Sequence, residues 1–253
     1  MAENSKIEWT DHTFNPWIGC TKVSPACDGC YAENLMAHRY HRVEWGAGED
    51  RKRTSDSNWR KPLAWNKAAA SKTGPTFVFC ASLADVFDNE VDPRWRGDLF
   101  DLIDGTPNLT WLLLTKRIGN VMKMTDLMRG GYPLPTNVAI GATIANQEEY
   151  DRDRIKLWEV KRDREPLFTF GSFEPLLGPV ILDKYAPDWV IVGGETNQGQ
   201  HKARFTDADW FRAMRDQCGR LGRAFFMKQM TNKAPIPADL LLRQVPLSVG
   251  ASA

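Results

Sequence analysis

The sequence predicts a single α/β domain folded as a partial or complete parallel (β/α) barrel. Three observations point there. Seven short apolar runs recur, at 14–18, 76–81, 109–115, 137–144, 166–173, 189–193 and 224–227. Most are apolar on both sides rather than alternating, as strands of a sheet covered on both faces are. Stretches with helical spacing lie between them, and strand–helix alternation at these intervals implies right-handed βαβ units. No linker-like stretch divides the 253 residues, so 1–253 is read as one domain.

Taken in order, the run at 14–18 is the expected first strand. It is followed by a cysteine-bearing loop, 19–31, and an expected helix over 31–41. Residues 44–75 are rich in Arg, Lys and Trp and too long for a simple connection, so they are expected to be irregular. After the second strand, Trp95, Leu99, Leu102 and Ile103 form one helical stripe, with Asp92-Pro93 as cap and first turn. A charged helix over 148–162 should bury Tyr150, Ile155 and either Leu157 or Trp158. A last helix over 207–221 should bury Trp210, Phe211, Met214 and Cys218, with Thr206 as its N-cap. Residues 246–253 read as a loose tail.

Composition is that of an ordinary globular chain, 42% hydrophobic and 26% charged. A formal net charge of +1 gives no global field for nucleic acid or membrane, although local basic patches remain open. The first residues carry no apolar signal region, and no run approaches the roughly 18 apolar residues of a membrane helix. The expectation is a cytoplasmic protein with no membrane partner.

Of five cysteines, Cys20, Cys27 and Cys30 fall within eleven residues. In a reducing compartment that crowding favours metal over disulfides. Three thiolates from one loop can hold three irons of a [4Fe–4S] cluster and leave the fourth open to an amine and carboxylate. Zinc is the alternative, with His12, His38, His41 or Cys80 as a fourth ligand. Cys218 sits on an apolar helical stripe and reads as core, and Cys80 reads as a small hydrophobe in a strand.

Several stretches carry a resemblance across nearly the whole chain. They include Ile7-Glu8-Trp9-Thr10, Asn15-Pro16-Trp17, the three-cysteine loop with Tyr31-Ala32-Glu33, Trp59-Arg60-Lys61-Pro62 and Leu114-Thr115-Lys116-Arg117. Glu174-Pro175-Leu176-Leu177-Gly178, Trp189 to Glu195 and Phe226-Met227-Lys228-Gln229 complete the set. In this order they resemble a phage- and prophage-associated, radical-SAM-like family with a three-cysteine motif, whose reactions are largely unassigned. More distantly the chain is similar to spore photoproduct lyase. The resemblance implies a barrel of radical SAM type, a [4Fe–4S] cluster on Cys20, Cys27 and Cys30, and S-adenosyl-L-methionine as source of a 5′-deoxyadenosyl radical. It also implies a flavodoxin- or ferredoxin-like electron donor.

The same likeness suggests roles for further residues. Ser82, Lys116, Thr143 and Asn146 would position S-adenosylmethionine, and an ammonium at Lys116 suits its carboxylate. Gly193-Gly194-Glu195 resembles the turn that holds the methionine amine. Cys80 stands near the place of a thiol hydrogen donor, and Glu174 would face substrate. The expected substrate is a nucleic-acid base, with Trp59, Trp65, the basic side chains of 51–72 and the loop 197–204 as contacts. The alternative is a non-catalytic nucleic-acid-binding phage protein stabilised by zinc or an iron–sulfur cluster. Two departures stand out: six residues separate Cys20 from Cys27 where three are usual, and Gly29 occupies the customary aromatic position, with Tyr31 just after.

Overall fold

The computed structural model describes residues 5–246, so most of the tail expected at 246–253 lies outside the described residues. Three short strands come first: β1 (His12–Thr13), β2 (Trp17–Ile18) and β3 (Lys52–Arg53). Six longer ones follow: β4 (Phe77–Cys80), β5 (Thr110–Thr115), β6 (Val138–Thr143), β7 (Thr169–Phe173), β8 (Trp189–Gly193) and β9 (Ala224–Gln229). One parallel sheet runs β1-β4-β5-β6-β7-β8-β9, so every strand neighbours the one before it. That order, with the sheet curled and its two ends unjoined, makes a half-barrel.

Side-chain alternation along each strand divides the apolar residues into two cores. Phe77 and Phe79, Leu112, Ala139, Phe170, Trp189, Ile191 and Phe226 fill the concave side together with Trp9 and Phe168. Gly141 belongs here by necessity, because a Cβ would stand 2.4 Å from the Phe170 ring. Val78, Trp111, Leu113, Ile140, Val190, Val192 and Met227 face the other way, into the larger core beneath the helices.

Four helices cover that outer face: α4 (Pro93–Asp104), α5 (Ile118–Arg129), α6 (Gln147–Arg164) and α7 (Ala208–Leu221). The Asp92 carboxylate accepts from Arg94 N at 2.9 Å and caps α4 ahead of its first-turn proline, as expected. On α6, Tyr150 and Leu157 are buried, whereas Trp158 is on the surface and Ile155 only partly covered. The cap of α7 is Asp207 rather than Thr206; the Thr206 hydroxyl instead donates to Leu176 O at 2.9 Å and is buried there.

The first crossover, from β1 to β4, departs furthest from expectation. The run at 14–18 is not a barrel strand; β1 precedes it, and β2 turns away to pair antiparallel with β3. The helix expected over 31–41 is one short turn, α1 (Tyr31–Glu33), continuing as a π-helix over Asn34–Arg39. Segment 44–75 is largely ordered, through β3, α2 (Asp56–Trp59) and α3 (Lys61–Ala69). Its tryptophans are occupied in packing: Trp65 stacks on His12 at 4.4 Å, and Trp59 meets Phe14 edge-on under the Arg53 guanidinium.

Candidate functional site at the sheet's C-terminal edge

In parallel α/β folds, the C-terminal strand ends and the loops that leave them form the reactive face. Following the concave-side register outward, this edge carries Thr143, Ser172 and Lys228, with Asn15, Ser82, Lys116, Glu174 and Glu195 just past their strands. The cysteine loop follows β2, and Gly19 N donating to Leu83 O at 3.1 Å sets its start at the same edge, beyond the end of β4. The sequence expectation thus brings most of its candidate residues together.

Asn15 fixes the β4 end, donating to Ser82 Oγ at 3.0 Å and accepting from Leu83 N at 2.7 Å. Thr143 Oγ1 is buried and has no hydrogen-bond partner among the described residues, which suits an oxygen awaiting a ligand. Glu174 accepts from Ser172 Oγ at 3.0 Å, and Lys228 Nζ lies 2.6 Å from its other oxygen, so an ion pair joins the ends of β7 and β9. Asn146 is occupied differently: its side chain accepts from Glu149 N at 2.9 Å as the N-cap of α6. Cys80 does not reach the edge. It is fully buried on the helix side of β4, and burial pushes its thiol well above the ordinary range, so a hydrogen-donor role has no geometric support.

Cys20 and Cys30 are half-buried, Cys27 is buried, and all three are free thiols. Arg117 Nη1 lies 3.5 Å from Cys20 Sγ, and its Nη2 donates to Thr21 O at 2.9 Å. Burial first, then the charge of Asp85, pushes Cys20 up to about 11, with Arg117 acting against both. Burial also raises Cys30, opposed by the backbone N–H groups of Glu33 and Ala32 and by the Lys116 ammonium. Cys20 therefore meets the Arg117 guanidinium, and the neighbouring Lys116 ammonium favours the thiolate of Cys30. Thiols raised by burial hold their protons until something supplies positive charge, and a metal does so outright.

Asp85 organises this corner. It accepts from Thr115 Oγ1 at 2.7 Å, Lys116 N at 2.9 Å and Arg117 Nη1 at 3.1 Å. Arg51, whose side chain is 1% exposed, donates to Asp88 at 2.8 Å and Thr21 Oγ1 at 2.7 Å, and pairs with Glu90. Sequence reading missed Asp85, Asp88 and Glu90, and took Arg51 with the basic side chains of 51–72 for a nucleic-acid contact, because a buried ion pair leaves no periodic signature.

On the other flank, Glu195 accepts from Arg204 N at 2.9 Å, Nε at 3.0 Å and Nη2 at 2.7 Å, and His201 Nε2 lies 3.1 Å away. Burial alone would raise this carboxyl, but the side-chain and backbone hydrogen bonds from Arg204, with His201, hold it down at about 2. Both oxygens are engaged, which leaves Glu195 poorly placed to hold a ligand amine. The glycines before it serve close packing: a Cβ at Gly194 would stand 2.3 Å from Thr231 N, and one at Gly193 would be 3.1 Å from Glu174 Oε1.

A cavity of about 450 Å³ opens between the cysteine loop, the π-helix and the turn at 198–201, lined by Lys22, Cys30, Glu33, Asn34, His38 and Gln200 among others. Among the described residues, no group of three or more His, Cys, Asp or Glu side chains is gathered closely enough for a single metal ion. No described helix is long and apolar enough to cross a membrane.

Fold and site together define a half-barrel α/β protein with a three-cysteine loop at the C-terminal edge of its sheet. The chain belongs to the family described as protein of unknown function (DUF5131), whose model matches residues 4–239. No curated protein and no solved structure matches it.

Proposed function

We propose that this chain is a radical S-adenosylmethionine enzyme that carries a [4Fe–4S] cluster on Cys20, Cys27 and Cys30. The observation that carries the reading is the placement of the three-cysteine loop. It follows β2 and is fixed beyond the end of β4 by Gly19 N donating to Leu83 O, with Cys20 beside Arg117 and Cys30 in the favourable field of the Lys116 ammonium. A three-thiolate cluster is anionic, and two cations with the helix-turn N–H groups at Cys30 offset that charge. When bound, the cluster and S-adenosylmethionine supply one-electron cleavage to a 5′-deoxyadenosyl radical, which takes hydrogen from an unactivated C–H bond.

The chain's own residues bind and orient. Thr143 offers a buried hydroxyl without a partner, Ser82 is held in place by Asn15, and Lys116 suits a carboxylate. Glu174 and Lys228 face the substrate side as a charged pair. A flavodoxin- or ferredoxin-like protein would deliver the electron.

A nucleic-acid substrate draws its support from a segment that the sequence reading took as a helix with two candidate zinc ligands, His38 and His41. His38, Arg39, Tyr40, His41 and Arg42 are all exposed beside the cavity. The Tyr40 ring is half exposed, with the Arg39 and Arg42 guanidiniums 5.6 and 5.8 Å from its centroid. Neither arginine forms an ion pair among the described residues. A stacking ring between free cations suits single-stranded nucleic acid.

The test is anaerobic reconstitution followed by iron, sulfide and zinc analysis. About four irons per chain, abolished in C20A, C27A and C30A, is the expected result. Stoichiometric zinc under the same treatment would contradict the proposal and leave a metal-stabilised binding protein.

A further inference from the structure

The six residues between Cys20 and Cys27 pose a physical problem. A longer loop costs more entropy to close, and residues 21–27 include only a single 3-10 turn at Pro25–Cys27. Two arginines from distant parts of the chain bracket this stretch. Arg117, anchored on Asp85, donates to Thr21 O at its start. Arg204, anchored on Glu195, donates through Nη2 to Pro25 O at 2.9 Å and through Nη1 to Asp28 at 3.0 Å, near its end. The second bracket spans 179 residues of sequence. It also explains Gly29, where a Cβ would stand 2.6 Å from His201 and 2.8 Å from Glu195 Oε1. The aromatic residue usual at that position would collide with the anchor.

We infer that Arg204, held by Glu195, is a positioning residue that fixes the widened cysteine loop before any cofactor binds. Glu195 thereby acts on the loop rather than on the amine of S-adenosylmethionine. The planar fork of arginine is required, because one side chain must serve a carboxylate in bidentate fashion while reaching a carbonyl and a second carboxylate. In its consequence for the cluster the inference rests on the radical reading, but the order of the loop is measurable without metal.

The first arm is hydrogen–deuterium exchange with mass spectrometry on metal-free full-length protein. It compares the unmodified chain with R204A, R204K, E195Q and the control R212A, whose partners Asp209 and Asp239 lie elsewhere. Amides of 21–30 should exchange about tenfold faster in R204A and E195Q, as expected when charge-assisted bonds restraining local opening are lost. Strands β5 to β8 should be unchanged. R204K should resemble R204A, and R212A should leave the loop untouched. Loop exchange equal to that of the unmodified protein in both R204A and E195Q would overturn the inference.

The second arm reconstitutes the same variants and records the cluster's EPR spectrum and its loss to a chelator. A broadened spectrum and faster loss in R204A, with unchanged thermal melting of the metal-free protein, separate positioning from general destabilisation. An unmodified chain that takes up no cluster would defeat the radical reading, while the exchange data would still decide the role of Arg204.

Discussion

The concave interior of the sheet and its first crossover are held by different forces. Its concave interior is an aromatic block, in which Trp189 alone meets Trp9, Phe77, Phe168, Phe170 and Phe226 at centroid distances between 5.8 and 6.4 Å. The first crossover, by contrast, contains the cysteine loop, a π-helix and short strands. Charge pairs tie it down: Arg51 with Asp88 and Glu90, Arg117 with Asp85, and Arg204 with Glu195. Apolar burial is non-directional and tolerates some rearrangement. Bidentate arginine contacts set position and angle. A scaffold can rely on the first, whereas a loop that must present three thiols in register needs the second.

Substitutions can break that division. The largest effect is expected from W189A, which removes a fully buried ring and should cost about 3–5 kcal/mol by urea unfolding, as aromatic-to-alanine changes in cores do. Its effect on the cysteine loop should follow only from global unfolding. R117A should cost less, about 2 kcal/mol, because Asp85 keeps Thr115 and the Lys116 amide after losing its buried cation. Unlike W189A, it should also lower iron retention in protein that remains folded, measured as iron per chain after gel filtration. Equal losses of stability and iron in both variants would erase the distinction between the regions.

A smaller effect tests the surface beside the cavity. Fluorescence anisotropy with a labelled single-stranded oligonucleotide, as DNA and as RNA, should show Y40A and the R39A/R42A pair each weakening binding about tenfold, the scale of one lost stacking contact. R162A is the matched control, since its guanidinium also lies over a ring, Trp158, but is neutralised by Asp163. Binding that R162A weakens equally would mean diffuse charge attraction without a site.

What the sequence revealed follows the same division. Six of the seven apolar runs became barrel strands, because doubly buried strands have to be continuously apolar. The cysteine loop was legible from spacing, and Ser82, Lys116, Thr143 and Glu174 from their places after apolar runs. The first strand was misplaced because β1 has only two residues, and its neighbours Phe14 and Trp17 are buried without being part of the sheet. Asn146, Trp59 and Trp65 were expected to meet ligands and instead cap or pack. Arg204 was visible as a basic loop residue, but its loop partners Pro25 and Asp28 lie near the other end of the chain, and pairing over that separation has no local signature.

The most direct test is EPR of the anaerobically reconstituted and reduced protein, recorded before and after adding S-adenosylmethionine. A [4Fe–4S] signal whose g-values move on addition is expected, since an iron without a protein ligand would take up the cofactor's amine and carboxylate. A cluster signal indifferent to saturating S-adenosylmethionine would contradict radical chemistry at Cys20, Cys27 and Cys30.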